Sequence, residues 1–173
     1  MDDPRRAADE DLEQARDAIE RGEMRHAADH LAGAIAHAPT LPEAHELLSR
    51  LAARADGALE LFPLEQPAFV GTVVARAHLL AAAGRPEDGL PLLAAASGHT
   101  PGVNWAGVPW VSDPALGGRM DPGLTARIVM QLCTAVGDPA PEPDRPALLP
   151  YLTVARHAID AHPEHSLLLG AGS

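Results

Sequence analysis

Histidine changes charge near neutral pH and is the commonest metal ligand, and this chain carries nine. His26 and His30 stand four residues apart, which puts them on one face of a helix, with His37 near the same face. His162 and His165 flank Pro163-Glu164. Either pair has the donor atoms to ligate a metal, but no carboxylate or thiol completes a tetrahedral set around it. A solvated helix face is the simpler reading, and neither a metal nor a cofactor is expected. His45-Glu46 opens like a zinc-protease motif but lacks the second histidine. There is no Gly-x-Ser-x-Gly elbow and no Gly-rich phosphate loop. Carboxylates are numerous, yet no two stand in the apolar setting that tunes an acid/base pair. Cys133, the single cysteine, lies in the apolar stretch Ile128 to Val136, which predicts a buried structural thiol rather than a nucleophile. No catalytic residue is expected, and the chain reads as a non-enzyme.

Binding is the better prospect. Arg50 and Arg54 share a helix face and are suited to hold an acidic group on a partner. Ion pairing with Glu43, Glu46 or Glu60 of the same chain is the alternative use for them. Trp105, Trp110, Phe62 and Phe69 concentrate nearly all the aromatic surface in two segments. Such residues suit a binding hot spot, and they suit equally well a plug between loops and core.

Helices must position these groups. Leu12, Ala15 and Ile19 recur at helical spacing and predict a helix over 5–21, closed by Gly22. A second is predicted over 24–37, with Ala27, Leu31, Ala34 and Ile35 on its apolar face. A third opens at Pro42 and runs to about 55 on Ala44, Leu47, Leu48 and Leu51. Residues 56–67 hold two prolines yet are strongly apolar, so they read as an inserted ordered loop packed on the core. Helices over 68–83 and 86–97 follow. Residues 100–121 read as a second ordered loop, in which Ser112 or Asp113 caps a short helical turn through Leu116. A helix over 122–136, an exposed proline-rich loop over 138–145 and a last helix over 146–162 complete the pattern; Pro150 is expected to displace the start of that last helix.

Composition limits the partners. The 13 basic residues are all arginine, there is no lysine, and the net charge is −11. Nucleic acid and anionic membrane both need clustered positive charge, so neither is an expected partner. Aromatics at 3% and alanine at roughly a fifth of the chain argue against a sheet and for close-packed helices. No apolar run approaches the ~20 residues that span a bilayer. The acidic start, Met1 to Glu10, reads as no secretory signal, so a cytoplasmic location is expected.

The chain also echoes itself. Gly22 and Gly84, Leu31 and Leu93, Ala34 and Ala96, and Pro39 and Pro101 are each 62 residues apart. Ala155, Ala158 and Pro163 extend the series. This pattern resembles the tetratricopeptide repeat (TPR) family, whose hairpins place a Gly in the inter-helix turn, small residues where helices meet, and a Pro after the second helix. Ala15, Gly22, Ala27, Leu31, Ala34 and Pro39 occupy those positions, and Ala77, Gly84, Gly89, Leu93, Ala96 and Pro101 do so again. In the third copy Tyr151, Ala155, Ala158 and Pro163 fit the second helix, with the turn Gly displaced to Gly137. The period exceeds the family's ~34 residues by about 28, and the family's first-helix aromatics are missing. The lysine-free composition is similar to that of TPR proteins from high-GC actinobacteria.

The resemblance implies an all-α, TPR-like helical-repeat solenoid with inserted ordered loops, in a single domain over 1–173. It implies a concave groove lined by Asp9, Leu12, Arg16, Glu20, then Glu43, Glu46, Arg50, Arg54, and later Val74 and His78. TPR domains that clamp C-terminal carboxylates use Lys and Asn, whereas this chain has no Lys and only Asn104, so that ligand class is disfavoured. The expected function is a scaffold module that binds a protein or peptide through Arg16, Glu43, Glu46, Arg50, Arg54 and His78, with Trp105 and Trp110 as candidate loop contacts. A regulatory module of a larger protein whose C-terminal domain is absent is the alternative. Arrays need polar caps, and Leu167-Leu168-Leu169 is not one. That predicts an unfinished array, or self-association through its uncapped end.

Overall fold

The computed structural model describes residues 3–64, 69–97, 103–137 and 145–162 of the 173. Among them all regular structure is helical: α1 (Pro4–Arg21), α2 (Met24–His37), α3 (Pro42–Arg54), α4 (Val70–Ala82), α5 (Pro86–Ser97), α6 (Pro109–Ser112), α7 (Pro114–Arg119), α8 (Pro122–Gly137) and α9 (Arg145–Ala161). Two 3-10 turns, Ala58–Leu61 and Trp105–Gly107, lie in the connections. No helix among the described residues is long and apolar enough to cross a membrane.

Two helical hairpins organise the chain, α1 with α2 and α4 with α5. Each turns on a glycine in the left-handed region, Gly22 at φ +78° and Gly84 at φ +82°. The closing hydrogen bonds match as well. Glu23 N–H donates to the Ala18 carbonyl at 2.9 Å, and Arg85 N–H to the Leu80 carbonyl at 2.9 Å. This is the six-to-one bond by which a C-terminal glycine caps a helix. The sequence echo at 62 residues is therefore an echo of turn geometry.

Helix α4 joins the hairpins by packing on α2 and α3. A side-chain carbon at Gly71 would run into the Ala32 carbonyl, so only glycine lets α4 lie this close to α2. Helix α9 lies against α5, α7 and α8. The core runs through both hairpins, from Leu12, Ile19, Leu31 and Ile35 to Leu48, Leu51, Leu90 and Leu93.

The segment 56–67 is ordered over its described part. Phe62 is buried, and Arg76 of α4 donates to the carbonyls of Leu59 at 2.8 Å and Phe62 at 3.0 Å. The described part of the segment 100–121, residues 103–121, is more regular than expected. It holds one 3-10 turn, opened by Asn104, and helices α6 and α7, of which α7 is opened by Asp113; the two side chains accept from Ala106 N–H at 3.2 Å and Ala115 N–H at 2.9 Å. Pro150 does not displace the last helix, which begins at Arg145 and carries that proline inside. The expected loop over 138–145, apart from Arg145, and the apolar run at 167–169 lie outside the described residues.

The expectation for Cys133 fails: the thiol is exposed. Helix α8 meets the rest of the chain along one face, marked by buried Leu124 and Ile128. Cys133 stands five residues beyond Ile128, about 140° further round the helix. Among the described side chains of this apolar stretch, Ile128 is on the covered side and Met130 and Cys133 are exposed.

Candidate functional site

Helix α3 buries Ala44, Leu47, Leu48 and Leu51. His45 follows Ala44 on the edge of that stripe and is drawn inside, 2% exposed. Ser49, one turn further, stays on the rim and is exposed. Helix α4 is buried on most sides, through Val73, Val74, Ala75, Ala77 and Leu79, and this carries His78 inward to 8% exposure. The two helices bring the histidines together with Nδ1 atoms 3.3 Å apart. His45 Nε2 lies 2.9 Å from the Pro39 carbonyl, and His78 Nε2 lies 3.0 Å from Ser49 Oγ.

The protons of this chain of contacts can be assigned. A carbonyl only accepts, so His45 Nε2 carries a hydrogen and donates to Pro39. Neutral His45 then has a lone pair on Nδ1. Two lone pairs facing at 3.3 Å would repel, so His78 carries its hydrogen on Nδ1 and donates to His45. His78 Nε2 is left as an acceptor, and the Ser49 hydroxyl donates to it. The backbone carbonyl of His45 lies farther from Ser49 Oγ, at 3.4 Å.

Both rings are held neutral. Burial lowers the pKa of His45, against a smaller raising effect of the Pro39 carbonyl. Burial, and then repulsion from His45, lower His78 to about 4. A proton entering the pair would have to sit in a site stripped of water.

The relay forms one wall of an open cleft of about 470 Å³. Pro42, His45, Glu46 and Ser49 come from α3, and His78, Ala81 and Ala82 from α4 with its C-terminal end. The opposite wall is Trp110, Asp113, Leu116 and Arg119, from α6, α7 and the link between them. The Trp110 ring also rests close to Gly89 of α5. A smaller hollow of about 200 Å³ shares Ala81, Ala82, Leu116 and Arg119 and extends past Met120 to Leu124.

The residues singled out from sequence divide. Glu46, His78 and Trp110 meet in this cleft. Arg16, Glu43, Arg50 and Arg54 do not line it, and neither arginine of α3 is in an ion pair among the described residues. Arg54 instead donates to the Ile19 carbonyl at 3.1 Å, covering the end of α1. Trp105 is fully buried and is a core plug, not a surface contact. Leu12 and Val74 are likewise core residues, whereas Asp9, Arg16 and Glu20 are exposed, so packing takes only part of the inferred groove face of α1 and α4.

Of the other described histidines, His26, His30 and His162 have partners, whereas the buried Nδ1 of His157 has no hydrogen-bond partner among the described residues. His30 donates from Nδ1 to Asp11 of α1 at 2.9 Å and meets the His26 ring edge-on at 4.8 Å. His162 Nε2 bonds the Gly118 carbonyl at 3.0 Å, while His165 lies outside the described residues. Among the described residues no group of three or more His, Cys, Asp or Glu is arranged to hold a metal.

Sequence reasoning missed the pairing of His45 with His78 and the place of Ser49. The available signal was a histidine beside the apolar stripe of α3 and another in a helix apolar on most sides; a polar ring at such a place needs a partner. No protein-family model matches the chain, and no curated protein or solved structure matches it.

Proposed function

We propose that this chain is a cytoplasmic, TPR-like protein-interaction module that binds a peptide or protein segment in the cleft between α3, α4 and α7. One observation carries the reading. Glu46, His78 and Trp110, from three separate stretches of sequence, line a single open concavity. Its walls combine apolar surface from Trp110, Leu116 and Ala81 with Glu46, Asp113 and Arg119. Concave apolar walls with a few placed polar groups are the usual make-up of a binding site.

The test is peptide selection from a displayed library against the full chain, followed by affinity measurement on selected peptides. Glu46→Arg is expected to weaken them at least about tenfold, the effect of ~1.4 kcal/mol. Arg50→Glu, on α3 but outside the cleft, is expected to leave them within about twofold. Failure to enrich any peptide, or binding that follows Arg50 and not Glu46, overturns the proposal.

A further inference from the structure

We propose that Ser49 is an activated nucleophile, which takes the acyl group of a small carboxylic ester bound in the α3–α4–α7 cleft. The inference goes beyond the binding role and requires no partner. Four features of the relay carry it. The proton inventory aims the Ser49 hydroxyl hydrogen at a ring lone pair on His78, 3.0 Å away. The far side of that ring is held by His45, which is itself fixed by the Pro39 carbonyl. This is the order nucleophile, base, orienting group that marks an activated hydroxyl. Accessibility follows the same order: Ser49 is exposed, whereas His78 and His45 are buried beneath it. The cleft supplies an apolar wall at Trp110 and Leu116, and Arg119 is the sole cation among its lining residues.

The reaction balances without a cofactor. Ser49 Oγ bonds to the ester carbonyl carbon while its proton passes to His78 Nε2. The bond to the leaving oxygen then breaks, and that oxygen takes the proton from His78 as the alcohol departs. Water adds to the acyl carbon by the same route and gives a proton to His78. Collapse of this adduct breaks the bond to Ser49 Oγ, which takes the proton back, and the carboxylic acid leaves. Arg119 offers positive charge to the carbonyl oxygen as negative charge develops on it. His78 is a weak base, which restricts the reaction to esters with good leaving groups.

The probe is p-nitrophenyl acetate with the full chain near neutral pH, read by nitrophenol release, intact mass and peptide mapping. The chain has no lysine, which removes the commonest competing acceptor. The expected result is an acetyl group on Ser49, absent from Ser49→Ala and formed about 100-fold faster than in His78→Gln. Should His78→Gln fail to fold, Ser49→Ala and the mapped position still decide, since the Ser49 side chain is on the rim. His45 is a positioning residue. In His45→Gln the midpoint of the acylation pH profile is expected to move to higher pH, because repulsion on His78 is gone. Acetyl groups on histidine instead of Ser49, or equal release by Ser49→Ala, overturn the proposal.

Discussion

The buried histidine pair makes stability depend on acid in a way that can be worked out in advance. His78 has a pKa of 6.5 in an unstructured chain and about 4 in the fold. Between those values the unfolded chain binds a proton that the folded chain refuses, so stability falls as pH falls. Above 6.5 the His78 contribution is complete, and below about 4 no more is lost. At about 1.4 kcal/mol per pH interval, the loss across the window approaches about 3 kcal/mol. His45 is shifted in the same direction and adds to the effect. The other ionisable groups lining the cleft are Glu46, Asp113 and Arg119. A difference against a His78 variant isolates the ring from these groups. The assay is urea unfolding at about pH 7.5 and about pH 4.5 for the wild type and His78→Gln, with ring carbon NMR to follow His78 itself. The wild type should lose most of 3 kcal/mol more than His78→Gln across that interval. Equal losses in the two proteins, or a His78 titration near 6.5, would refute the reasoning.

Three further outcomes follow from packing. Gly71→Ala should destabilise by about 1–3 kcal/mol in urea melts, because the Ala32 carbonyl it meets is backbone, whereas Gly118→Ala, with open space around it, should be neutral or gain up to ~1 kcal/mol. Arg76→Ala removes both donors to the Leu59 and Phe62 carbonyls and should cost about 2–3 kcal/mol, with Arg76→Lys recovering part of it. Cys133 should react fully with a thiol reagent in the absence of denaturant, and protection of the native protein would contradict its placement.

Much of the helical order was legible because its punctuation is chemically specific. Gly22 and Gly84 end helices where the backbone turns left-handed, and Pro42, Pro86 and Pro122 open them in a turn that has no use for their missing N–H. The helices read over 24–37 and 86–97 match α2 and α5, and the one read over 42–55 is α3 to within a residue. The segment 100–121 was read as loop because its helical pieces are three to six residues long. Periodicity needs a window of about 11–18 residues, and only the Asp113 cap gave such a piece away. Cys133 was misread for a related reason. An apolar stretch fixes the helix but not which side a neighbour covers, and that depends on α9 and α5 arriving from elsewhere in the chain.

The site was less legible than the fold, and the cause is distance along the sequence. Ser49 meets His78 across 29 residues and His45 meets it across 33. A motif search sees spacing within one element, so it finds His45-Glu46 and stops at the missing second histidine. Burial is the physical fact that links the residues. A neutral imidazole taken out of water must satisfy one donor and one acceptor. His45 meets this with the Pro39 carbonyl on one side and His78 on the other, and that choice forces the tautomer of His78 and the direction of the Ser49 hydroxyl. Substituting either histidine by an apolar residue therefore does more than remove a base. It strips a partner from the remaining buried ring and frees Ser49 to turn to the His45 carbonyl, 3.4 Å away. The geometry of the rim is set by proton accounting beneath it, which is why the hydroxyl direction, and not the sequence around Ser49, is the feature on which its reactivity turns.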